Sequence, residues 1–554
     1  MTTISFANIV FRFWVLTPGN VYEPSRFQIT NAGNYTIARC HDLTYGDGSG
    51  GVPGELEVTF TRTGRGISWR VRASAPELIK GIKVAIEPLP LGTVMVPLGN
   101  TVNLQEGDPG RAFVFPGGYY PRRHVSSTGV TPSSGPLPIW AAQFALLRAA
   151  DQTLYLHGEQ YPPHVKKLWI YREGDHQTLH LYDEALGYQR DTTFSTTTWY
   201  LETVEDWHNA VDDYAAWMAS AYGMRPLADR SDVQPWLKEL GLVVLLHGIG
   251  SNNHVGHTFA EMAERLTWLA AHFPPQQMLV KVLGFEGRID HTWPDNTPAD
   301  RLGGPSGFEH LAVTCQRLGI HLMPHLNVWG ASYDNPATEA LLPYRILDLE
   351  GRPVTWSFDM DGDEIDEEIF AYISPDAPEW RRVLRTKIGE IVDRGVDAIF
   401  LDQTGTYVND LRYDHFRGLQ ALYAEMQTAM PDVQFVGEGP TTELSASLCP
   451  LLAGVSTSDD DDQVELYRRL FGSFILQHSH SASLPPEPYG GVWSASTIRG
   501  WTEERFAQQQ LQTACAAGVP TLNLTDRRID LDGPRVELVL ARARDYIGNR
   551  LSQQ

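Results

Sequence analysis

Two acidic side chains stand at the ends of two short apolar runs. The first run is Gly395-Val-Asp-Ala-Ile-Phe-Leu-Asp402, and the second is Val433-Gln-Phe-Val-Gly-Glu438. Apolar runs of this length, bounded by turn residues, are typical of strands that are buried on both faces. A pair of carboxyl groups held close together can cleave a glycosidic bond, one as a nucleophile and the other as a proton donor. Asp402 and Glu438 are therefore the first candidates for a catalytic pair.

The spacing of the two acids predicts that they end neighbouring strands. They are 36 positions apart (438 − 402 = 36), close to one strand-helix repeat of a parallel barrel, in which eight repeats fill roughly 250 residues. Adjacent strands lie about 4.7–4.9 Å apart, so the carboxyl groups are expected near the roughly 5–5.5 Å separation of a retaining glycosidase. The alternative, in which Asp402 or Glu438 caps a helix or pairs with an arginine, stays open at this point.

The C-terminal part of the sequence alternates between strand and helix patterns. Residues 413–430, between the two acids, carry apolar side chains at helical spacing. The predicted strands are Gly241–His247, Met278–Gly284, Gly319–Asn327, the Asp402 and Glu438 strands, Phe471–His478 and Gly518–Leu524. Their number, near eight with one or two undecided, predicts an α/β fold with a (β/α)8 TIM-like barrel. No GxGxxG sequence follows a strand, which disfavours a dinucleotide-binding fold.

Residues 4–202 have a different, all-β pattern. Segments 56–61 and 67–73 alternate apolar and polar residues around a Gly-containing turn, and segments 167–171 and 178–182 do the same across Gly174-Asp175. Both pairs are hairpin signals. With Gly and Pro clusters between the runs, the pattern predicts an antiparallel β-sandwich domain that precedes the barrel.

A change of period marks the boundary between the two parts. Residues 206–222 place apolar side chains on one face of a helix, and Gly223 is expected to end that helix. The predicted division is therefore an N-terminal β-sandwich over residues 1–204, a linker helix region over 205–232 and a catalytic barrel over 233–554.

Several predicted strands end in groups that suit a sugar-binding site. Polar side chains there would hydrogen-bond sugar hydroxyl groups, and tryptophans would stack on the apolar faces of sugar rings. The candidates for substrate binding are His247, Asp290, Trp293, His325, Asn327, Trp329, Gln403 and His478. For each single residue, a structural role is an equal alternative, and their shared position at strand ends is the argument for binding.

Two acidic runs offer further alternatives. Asp359-Met-Asp-Gly-Asp363 resembles the opening of a calcium loop, but the Gly and Glu that an EF-hand requires later in the loop are absent, which favours a solvated surface loop. In the run 459–462, Asp459 or Asp460 could replace Glu438 as the acid, although most such runs are surface charge. The preferred mechanism needs no metal and no cofactor.

Composition limits the classes of partner. The 554 residues are 42% apolar and 20% charged, and the formal charge is 44 − 67 = −23. This charge disfavours nucleic acid and anionic membrane surfaces as partners, whereas a neutral oligosaccharide or polysaccharide is not repelled. Four scattered cysteines predict buried thiols rather than a disulfide framework.

The N-terminal residues lack a basic segment followed by a long apolar segment, so a signal peptide is not expected and a cytoplasmic location is the default prediction. The sequence leaves the sugar, the linkage, endo or exo action and the oligomeric state open.

The C-terminal part resembles retaining α-glycosidases built on a β/α barrel. The resemblance rests on Val396-Asp-Ala-Ile-Phe-Leu-Asp402, Val436-Gly-Glu438, the linker segment 205–217 and Arg469-Leu-Phe-Gly-Ser-Phe-Ile-Leu-Gln-His478. It is nearest to bacterial barrel proteins with an N-terminal β-sandwich and more distant from endo-α-N-acetylgalactosaminidases. The resemblance implies an Asp nucleophile at the end of strand four, Asp402, and a Glu acid/base at the end of strand five, Glu438. The chain departs from such enzymes in leaving little room for a C-terminal β domain.

Two other functions remain possible at this stage. His247, His325, His478 and His480 could hold a metal ion at the barrel mouth, which would make the protein a metal-dependent barrel hydrolase. Alternatively, the barrel could bind carbohydrate without catalysis, because a fold does not prove a function.

Overall fold

The computed structural model describes most of the chain. The described residues are 3–97, 100–116, 124–126, 140–250, 253–288, 291–358, 367–439, 441–453, 460–478, 518–524, 527 and 529–553.

The N-terminal part is a large network of antiparallel strands. Seventeen strands pair in one continuous sheet system. Their bounds are Thr3–Phe6, Ile9–Leu16, Val21–Pro24, Gln28–Ala32, Tyr35–Tyr45, Gly51–Arg62, Gly66–Ser74, Gly81–Leu89, Gly92–Val96, Asn100–Val102, Arg111–Phe115, Phe144–Ala149, Thr153–Gly158, Lys166–Glu173, His176–Glu184, Thr193–Ser195 and Trp199–Val204. Alternate residues along these strands face a shared apolar core, as period-two patterning requires. We call this system the N-terminal sheet.

Both predicted hairpins are confirmed by the strand register. Gly51–Arg62 pairs antiparallel with Gly66–Ser74, and Lys166–Glu173 pairs antiparallel with His176–Glu184. Gly174 lies in the turn of the second hairpin with φ of 64°, a conformation that glycine adopts without steric cost.

The helix that follows the N-terminal sheet has the predicted limits. It runs over Trp207–Tyr222, and the Asp206 side chain caps its first turn by accepting a hydrogen bond from the His208 N–H at 3.0 Å. Gly223 ends it in the left-handed conformation, with φ of 64°.

Eight parallel strands form the second sheet. In chain order they are Leu242–Ile249, Met278–Arg288, His321–Asn327, Ala398–Asp402, Gln434–Glu438, Leu451–Ala453, Leu476–His478 and Thr521–Leu524. The first seven strands each pair with their neighbours in sequence, and the eighth strand pairs with the first. A parallel bridge from His478 to Val519 joins the seventh strand to the residues that lead into the eighth. The sheet is therefore nearly closed and barrel-like.

Helices connect these strands and pack on the outside. They are Phe259–His272, Gly304–Leu318, Pro378–Val392, His415–Ala429, Glu443–Leu448, Asp461–Phe471 and the C-terminal Pro534–Gln553. Residues on the other face of the strands, among them Leu245, Met323 and Phe400, form a separate core enclosed by the sheet. Parallel strands covered on both sides in this way explain the continuous apolar runs in the sequence.

A small four-stranded sheet lies between the third and fourth parallel strands in sequence. It comprises Gly330–Ser332, Thr355–Phe358 and Glu367–Tyr372, with His124–Ser126 contributed from the N-terminal part. This insertion begins directly after Trp329, so it lies beside the C-terminal end of the third strand.

Two strand predictions require correction. The prediction of a strand over Phe471–His478 is wrong for its first half, because the helix Asp461–Phe471 ends there and a turn follows it, so that only Leu476–His478 is a strand. The strand Leu451–Ala453 was not predicted, since three residues are too few to show a period.

Cys40, Cys315 and Cys449 are buried free thiols, as predicted, and Cys515 lies outside the described residues. Among the helices of the described ranges, none has both the length and the apolar character needed to cross a bilayer.

Candidate active site

Asp402 and Glu438 end adjacent parallel strands, as their spacing predicted. Leu401 pairs with Gly437 in the register, so the two acids occupy the next position on each strand. Both follow strand residues whose side chains belong to the enclosed core, Phe400 and Val436. Because side chains two positions apart share a face, both carboxyl groups point into the enclosed side of the sheet. They are only 8% and 6% exposed.

The third strand holds the Asp402 carboxyl group in place. Asn327 Nδ2 donates a hydrogen bond to Asp402 Oδ2 at 2.7 Å. The same asparagine accepts from the backbone N–H groups of Trp329 and Gly330, both at 2.7 Å, so its orientation is fixed. His325 Nε2 lies 3.8 Å from the same Asp402 oxygen. These contacts bring together four of the residues singled out in the sequence: Asp402, Asn327, His325 and Trp329.

The backbone of Gln403 holds the second acid. Its N–H donates to Glu438 Oε2 at 2.8 Å, and its carbonyl oxygen accepts from Trp329 Nε1 at 3.0 Å. Gln403 has φ of 60°, a left-handed conformation that is unfavourable for a residue with a Cβ atom. Such strain persists only where surrounding contacts enforce it, and it is concentrated at functional sites. The sequence predicted that the Gln403 side chain binds substrate. The structure shows in addition that the Gln403 backbone bonds Glu438 and Trp329.

The turns after the two strands touch each other. The Gly405 N–H donates to the Glu438 carbonyl oxygen at 2.6 Å. A Cβ atom at Gly405 would lie 3.0 Å from the Cα atom of Gly439. Glycine at both positions therefore permits the close approach that keeps the carboxyl groups side by side.

A lysine that the sequence analysis missed lies inside the sheet near both acids. Lys281 is fully buried on the second strand, and its Nζ lies 3.1 Å from the centroid of the Phe400 ring. Burial lowers the pKa of Lys281 to about 8, while the charges of Glu438 and then Asp402 oppose this shift. A lone lysine inside the apolar run Met278-Leu-Val-Lys281-Val-Leu was the sequence signal that could have identified it.

The two tryptophans are enclosed by protein groups. Trp293 is 1% exposed, donates from Nε1 to Glu286 Oε1 at 3.0 Å and packs beside His325 with a centroid distance of 6.2 Å. Trp329 is fully buried and stacks on His415 at 4.0 Å. In this structure, the two rings position Glu286 and Gln403, and the expectation that they stack on sugar rings stays a prediction.

Two more of the predicted binding residues, His247 and His478, occupy other strand ends. His247 is half-buried on the first strand, and His478 is fully buried on the seventh. Asp290 lies outside the described residues. Two polar residues of the same strand ends were missed: Glu286 on the second strand and Asn523 on the eighth, 6% and 5% exposed.

The described residues do not bring the strand-end histidines together as metal ligands. There, the one group of three ligand side chains with ligand atoms within 4.8 Å of one another is Glu87, Glu173 and His176 on the N-terminal sheet. The strand-end histidines 247, 325 and 478 form no such group in that part of the chain, and His480 lies outside it. The calcium candidate 359–363 also lies outside the described residues.

Asp460, proposed as an alternative acid, has a structural task. It caps the helix Asp461–Phe471 by accepting from the Asp462 N–H at 3.0 Å, and it accepts a hydrogen bond from Thr101 of the N-terminal sheet. Its neighbour Asp459 lies outside the described residues.

The loop after Asp402 is held by the N-terminal sheet. Asn409 Nδ2 donates to Glu184 Oε1 at 2.9 Å and to the Ala185 carbonyl oxygen at 2.8 Å, and its Oδ1 accepts from the Gly187 N–H at 2.7 Å. These three bonds complete the hydrogen-bonding of a buried amide.

The helix after Glu438 is held in a similar way. Glu443, fully buried in its first turn, accepts from the hydroxyl groups of Tyr214 and Tyr222 on the Trp207–Tyr222 helix, the second at 2.8 Å. It also accepts from the backbone and side-chain nitrogens of Gln143, both at 3.0 Å. The segments that follow both acids are therefore anchored outside the parallel sheet.

Comparisons with known proteins bear on the fold. A family model described as a domain of unknown function, DUF6259, matches residues 193–419, a range that includes Asp402 and stops before Glu438. No curated protein matches the chain.

Solved structures of glycoside hydrolases superpose on the whole chain. The alpha-N-acetylgalactosaminidase NagBb from Bifidobacterium bifidum, in a GalNAc complex, gives a TM-score of 0.65 at 12% identity, over 100% of this chain and 94% of that chain. The GH36 alpha-galactosidase AgaA from Geobacillus stearothermophilus gives 0.51 at 10% identity, over 97% and 75%.

TtGalA, an alpha-galactosidase from Thermus thermophilus in complex with stachyose, gives a TM-score of 0.50 at 12% identity, over 94% of this chain and 99% of that chain. At these identities the similarity is one of fold, and the chain shares the fold of these glycoside hydrolases.

Proposed function

We propose that this protein is a glycoside hydrolase that cleaves an α-linked sugar by a retaining double displacement. The observation that carries the proposal is the register of the fourth and fifth strands, in which Leu401 pairs with Gly437 and the next residues are Asp402 and Glu438. Adjacent strands are about 4.8 Å apart, which suits the roughly 5–5.5 Å of a retaining pair rather than the roughly 6.5–9.5 Å of an inverting pair.

In the first step Asp402 attacks the anomeric carbon while Glu438 donates a proton to the leaving glycosidic oxygen. The hydrogen bond from Asn327 Nδ2 supports an ionised Asp402. The Gln403 N–H bonds Oε2 of Glu438, so we place the acidic proton on Oε1. In the second step Glu438 takes a proton from water, the hydroxyl adds to the anomeric carbon, and Asp402 leaves as a carboxylate.

The choice of an α-linked substrate draws on the fold comparison. NagBb is an alpha-N-acetylgalactosaminidase, and AgaA and TtGalA are alpha-galactosidases. We therefore place α-galactosides and α-N-acetylgalactosaminides first among the substrates to test. Endo or exo action is not assigned.

The proposal includes a specific architecture. We interpret the nearly closed parallel sheet as a (β/α)8 barrel and the N-terminal sheet as a β-sandwich. The division at residues 1–204, 205–232 and 233–554 is retained as part of the same proposal.

The test is turnover of α- and β-linked aryl glycosides by the wild type, Asp402→Asn and Glu438→Gln, with the released anomer followed by NMR. We expect an α-anomer from an α-glycoside, loss of turnover in Asp402→Asn, and a larger loss in Glu438→Gln for substrates with poor leaving groups, because these depend most on the proton donor. The matched control is Asp397→Asn, since Asp397 precedes the same strand and bonds His321 Nδ1 at 2.6 Å.

Two results contradict the proposal. Turnover that persists in Asp402→Asn would remove this residue as the nucleophile, and release of the opposite anomer would replace retention by inversion. Sugar binding without turnover of any glycoside would instead favour a catalytically silent carbohydrate-binding protein.

A further inference from the structure

Lys281 is the charged group near the two acids to which the proposed mechanism gives no task. It pairs in the register with Leu245 on the first strand and Met323 on the third. Both partners belong to the core enclosed by the sheet, so Lys281 points into the same interior. Its register partner Met323 precedes His325 by two positions, and His325 pairs in turn with Phe400.

The lysine ammonium group is fully buried and donates no hydrogen bond to any described residue. Its Nζ lies 3.1 Å from the centroid of the Phe400 ring, an arrangement in which the negative face of the ring attracts the cation. One aromatic ring is weak compensation for an ammonium group taken out of water. A buried cation therefore needs a nearby negative charge, and the residue two positions after Phe400 is Asp402.

The groups that face Lys281 are few. Of the charges that act on it, that of Glu438 on the fifth strand is the larger and that of Asp402 on the fourth is the smaller. The neighbouring titratable side chains are His325, which stacks on Phe400 at 5.1 Å, and His247, two positions beyond Leu245. Leu245 and Met323, the register partners of Lys281, carry no charge.

We propose that Lys281 is a positioning residue whose ammonium group balances the single negative charge that Asp402 and Glu438 share throughout the reaction. This inference rests on the proposed function. Before the first step, Asp402 is a carboxylate and Glu438 is a neutral acid.

In that step a bond forms between an Asp402 oxygen and the anomeric carbon, the glycosidic carbon–oxygen bond breaks, and the Glu438 proton moves to the leaving oxygen. Asp402 is then a neutral ester and Glu438 a carboxylate, so the charge of the pair is still one. Lys281 offsets that charge in both states. Solvent therefore does not have to reorient as the negative charge moves from Asp402 on the fourth strand to Glu438 on the fifth.

A double-mutant cycle on thermal stability tests the charge coupling without any substrate. Lys281→Met keeps the volume of the side chain and removes its charge, and it is combined with Asp402→Asn and with Glu438→Gln. We expect Asp402→Asn to raise Tm by several degrees more in the Lys281→Met background than in the wild type, because there it removes an uncompensated buried charge. Glu438→Gln replaces a neutral acid, so its coupling to Lys281→Met is expected to be smaller. Asp410→Asn, which removes a buried acid that does not act on Lys281, is the control and is expected to be additive.

The pH dependence of kcat/KM on a cleaved aryl glycoside is the second readout. In Lys281→Met, both apparent pKa values are expected to move upward, because a positive charge that favours ionised carboxylates is lost. Lys281→Arg, which keeps the charge, is expected to restore the lower values. A lysine that only packs against Phe400 would leave the profile unchanged.

The outcomes are distinguishable. Additive Tm effects in the cycle, or an unchanged pH profile in Lys281→Met, overturn the inference whatever the enzyme cleaves. Coupling in the cycle together with no turnover of any glycoside would overturn the proposed function and, with it, the catalytic part of the inference, while the electrostatic pairing of Lys281 with the two acids would stand.

Discussion

At the scale of single residues, the candidate site consists of ionisable groups that are almost removed from water. Asp402 and Glu438 are 8% and 6% exposed, and Lys281 is fully buried. Burial of charge is costly unless hydrogen bonds or opposite charges compensate it. The hydrogen bonds from Asn327 Nδ2 to Asp402 and from the Gln403 N–H to Glu438 supply part of this compensation.

Asn327 is expected to matter for both activity and stability. Asn327→Ala removes the 2.7 Å hydrogen bond to Asp402 and leaves the N–H groups of Trp329 and Gly330 without their acceptor. We expect kcat/KM on a cleaved glycoside to fall by about 100-fold, because the proposed nucleophile Asp402 loses its orientation. We also expect the free energy of unfolding to fall by about 2–4 kcal/mol. Steady-state kinetics and denaturant unfolding measure the two effects.

The control for this prediction is Asn335→Ala. Asn335 makes comparable bonds to the Thr292 carbonyl oxygen and the Ala337 N–H, at 2.8 and 3.0 Å. It should lower stability without a comparable loss of kcat/KM. Equal kinetic effects in the two variants would mean that Asn327 acts only through general stability.

Asp410 should make stability depend on pH. It is 2% exposed, and burial raises its pKa to about 7. Because the folded state then holds the proton more tightly than the unfolded state, the contribution of Asp410 to stability falls as pH rises from about 4 to 7. Asp410→Asn cannot ionise, so its stability relative to the wild type should increase over that range, by up to about 4 kcal/mol. Urea unfolding at several pH values measures this difference, and a difference that is constant with pH would refute it.

At the scale of elements, the junctions where strands pass into loops carry the geometry. The strands are regular, but the residue after Asp402 is left-handed and the two following turns meet at Gly405 and Gly439. The strands bring the acids to adjacent positions, while these junctions fix their direction through the Gln403 N–H and the Glu438 carbonyl oxygen.

Substitutions at Gln403 should separate backbone from side-chain roles. Gln403→Gly and Gln403→Ala both keep the N–H that bonds Glu438. Because glycine adopts φ of 60° without the Cβ clash, we expect Gln403→Gly to be more stable than Gln403→Ala by about 0.5–1 kcal/mol. If the side chain binds substrate, both variants should raise KM similarly. A lower Tm for Gln403→Gly than for Gln403→Ala would show that the left-handed conformation is not retained.

At the scale of the whole molecule, the N-terminal sheet and the Trp207–Tyr222 helix hold the segments that follow both acids. Asn409 bonds Glu184 at the end of a strand of the N-terminal sheet and Ala185 and Gly187 directly after it. Glu443 bonds Gln143 together with Tyr214 and Tyr222. Because the two segments directly continue the fourth and fifth parallel strands, we interpret the N-terminal sheet as a support of the candidate site rather than as a separate module.

Glu443 gives the sharpest test of this support. Glu443→Ala leaves two tyrosine hydroxyl groups and the Gln143 nitrogens without their buried acceptor, so we expect a loss of about 3–5 kcal/mol of stability. Tyr222→Phe removes a single bond and should cost about 1 kcal/mol. Thermal unfolding gives the stabilities, and kcat measured well below each Tm gives the effect on catalysis. A Glu443→Ala variant that loses little stability and keeps the wild-type kcat would show that the contacts of Glu443 do not support the site.

The sequence determined those features that depend on local patterns. Apolar period and turn residues predicted the hairpins, the helix Trp207–Tyr222 with its end at Gly223, and most of the parallel strands. The spacing of Asp402 and Glu438 predicted that they end adjacent strands. These predictions succeed because strand and helix periods are properties of neighbouring residues.

The tertiary structure decided the rest. The bond from Asn327 to Asp402 joins residues 75 positions apart, and the bond from Tyr214 to Glu443 spans 229. No local pattern encodes such contacts, which is also why the place of Lys281 beside the acids and the bond from Thr101 to Asp460 were missed. The short strand Leu451–Ala453 forms because the sheet on either side pairs with it. Long-range packing and burial, rather than sequence spacing, decide which charged groups meet and which ionisation states they keep.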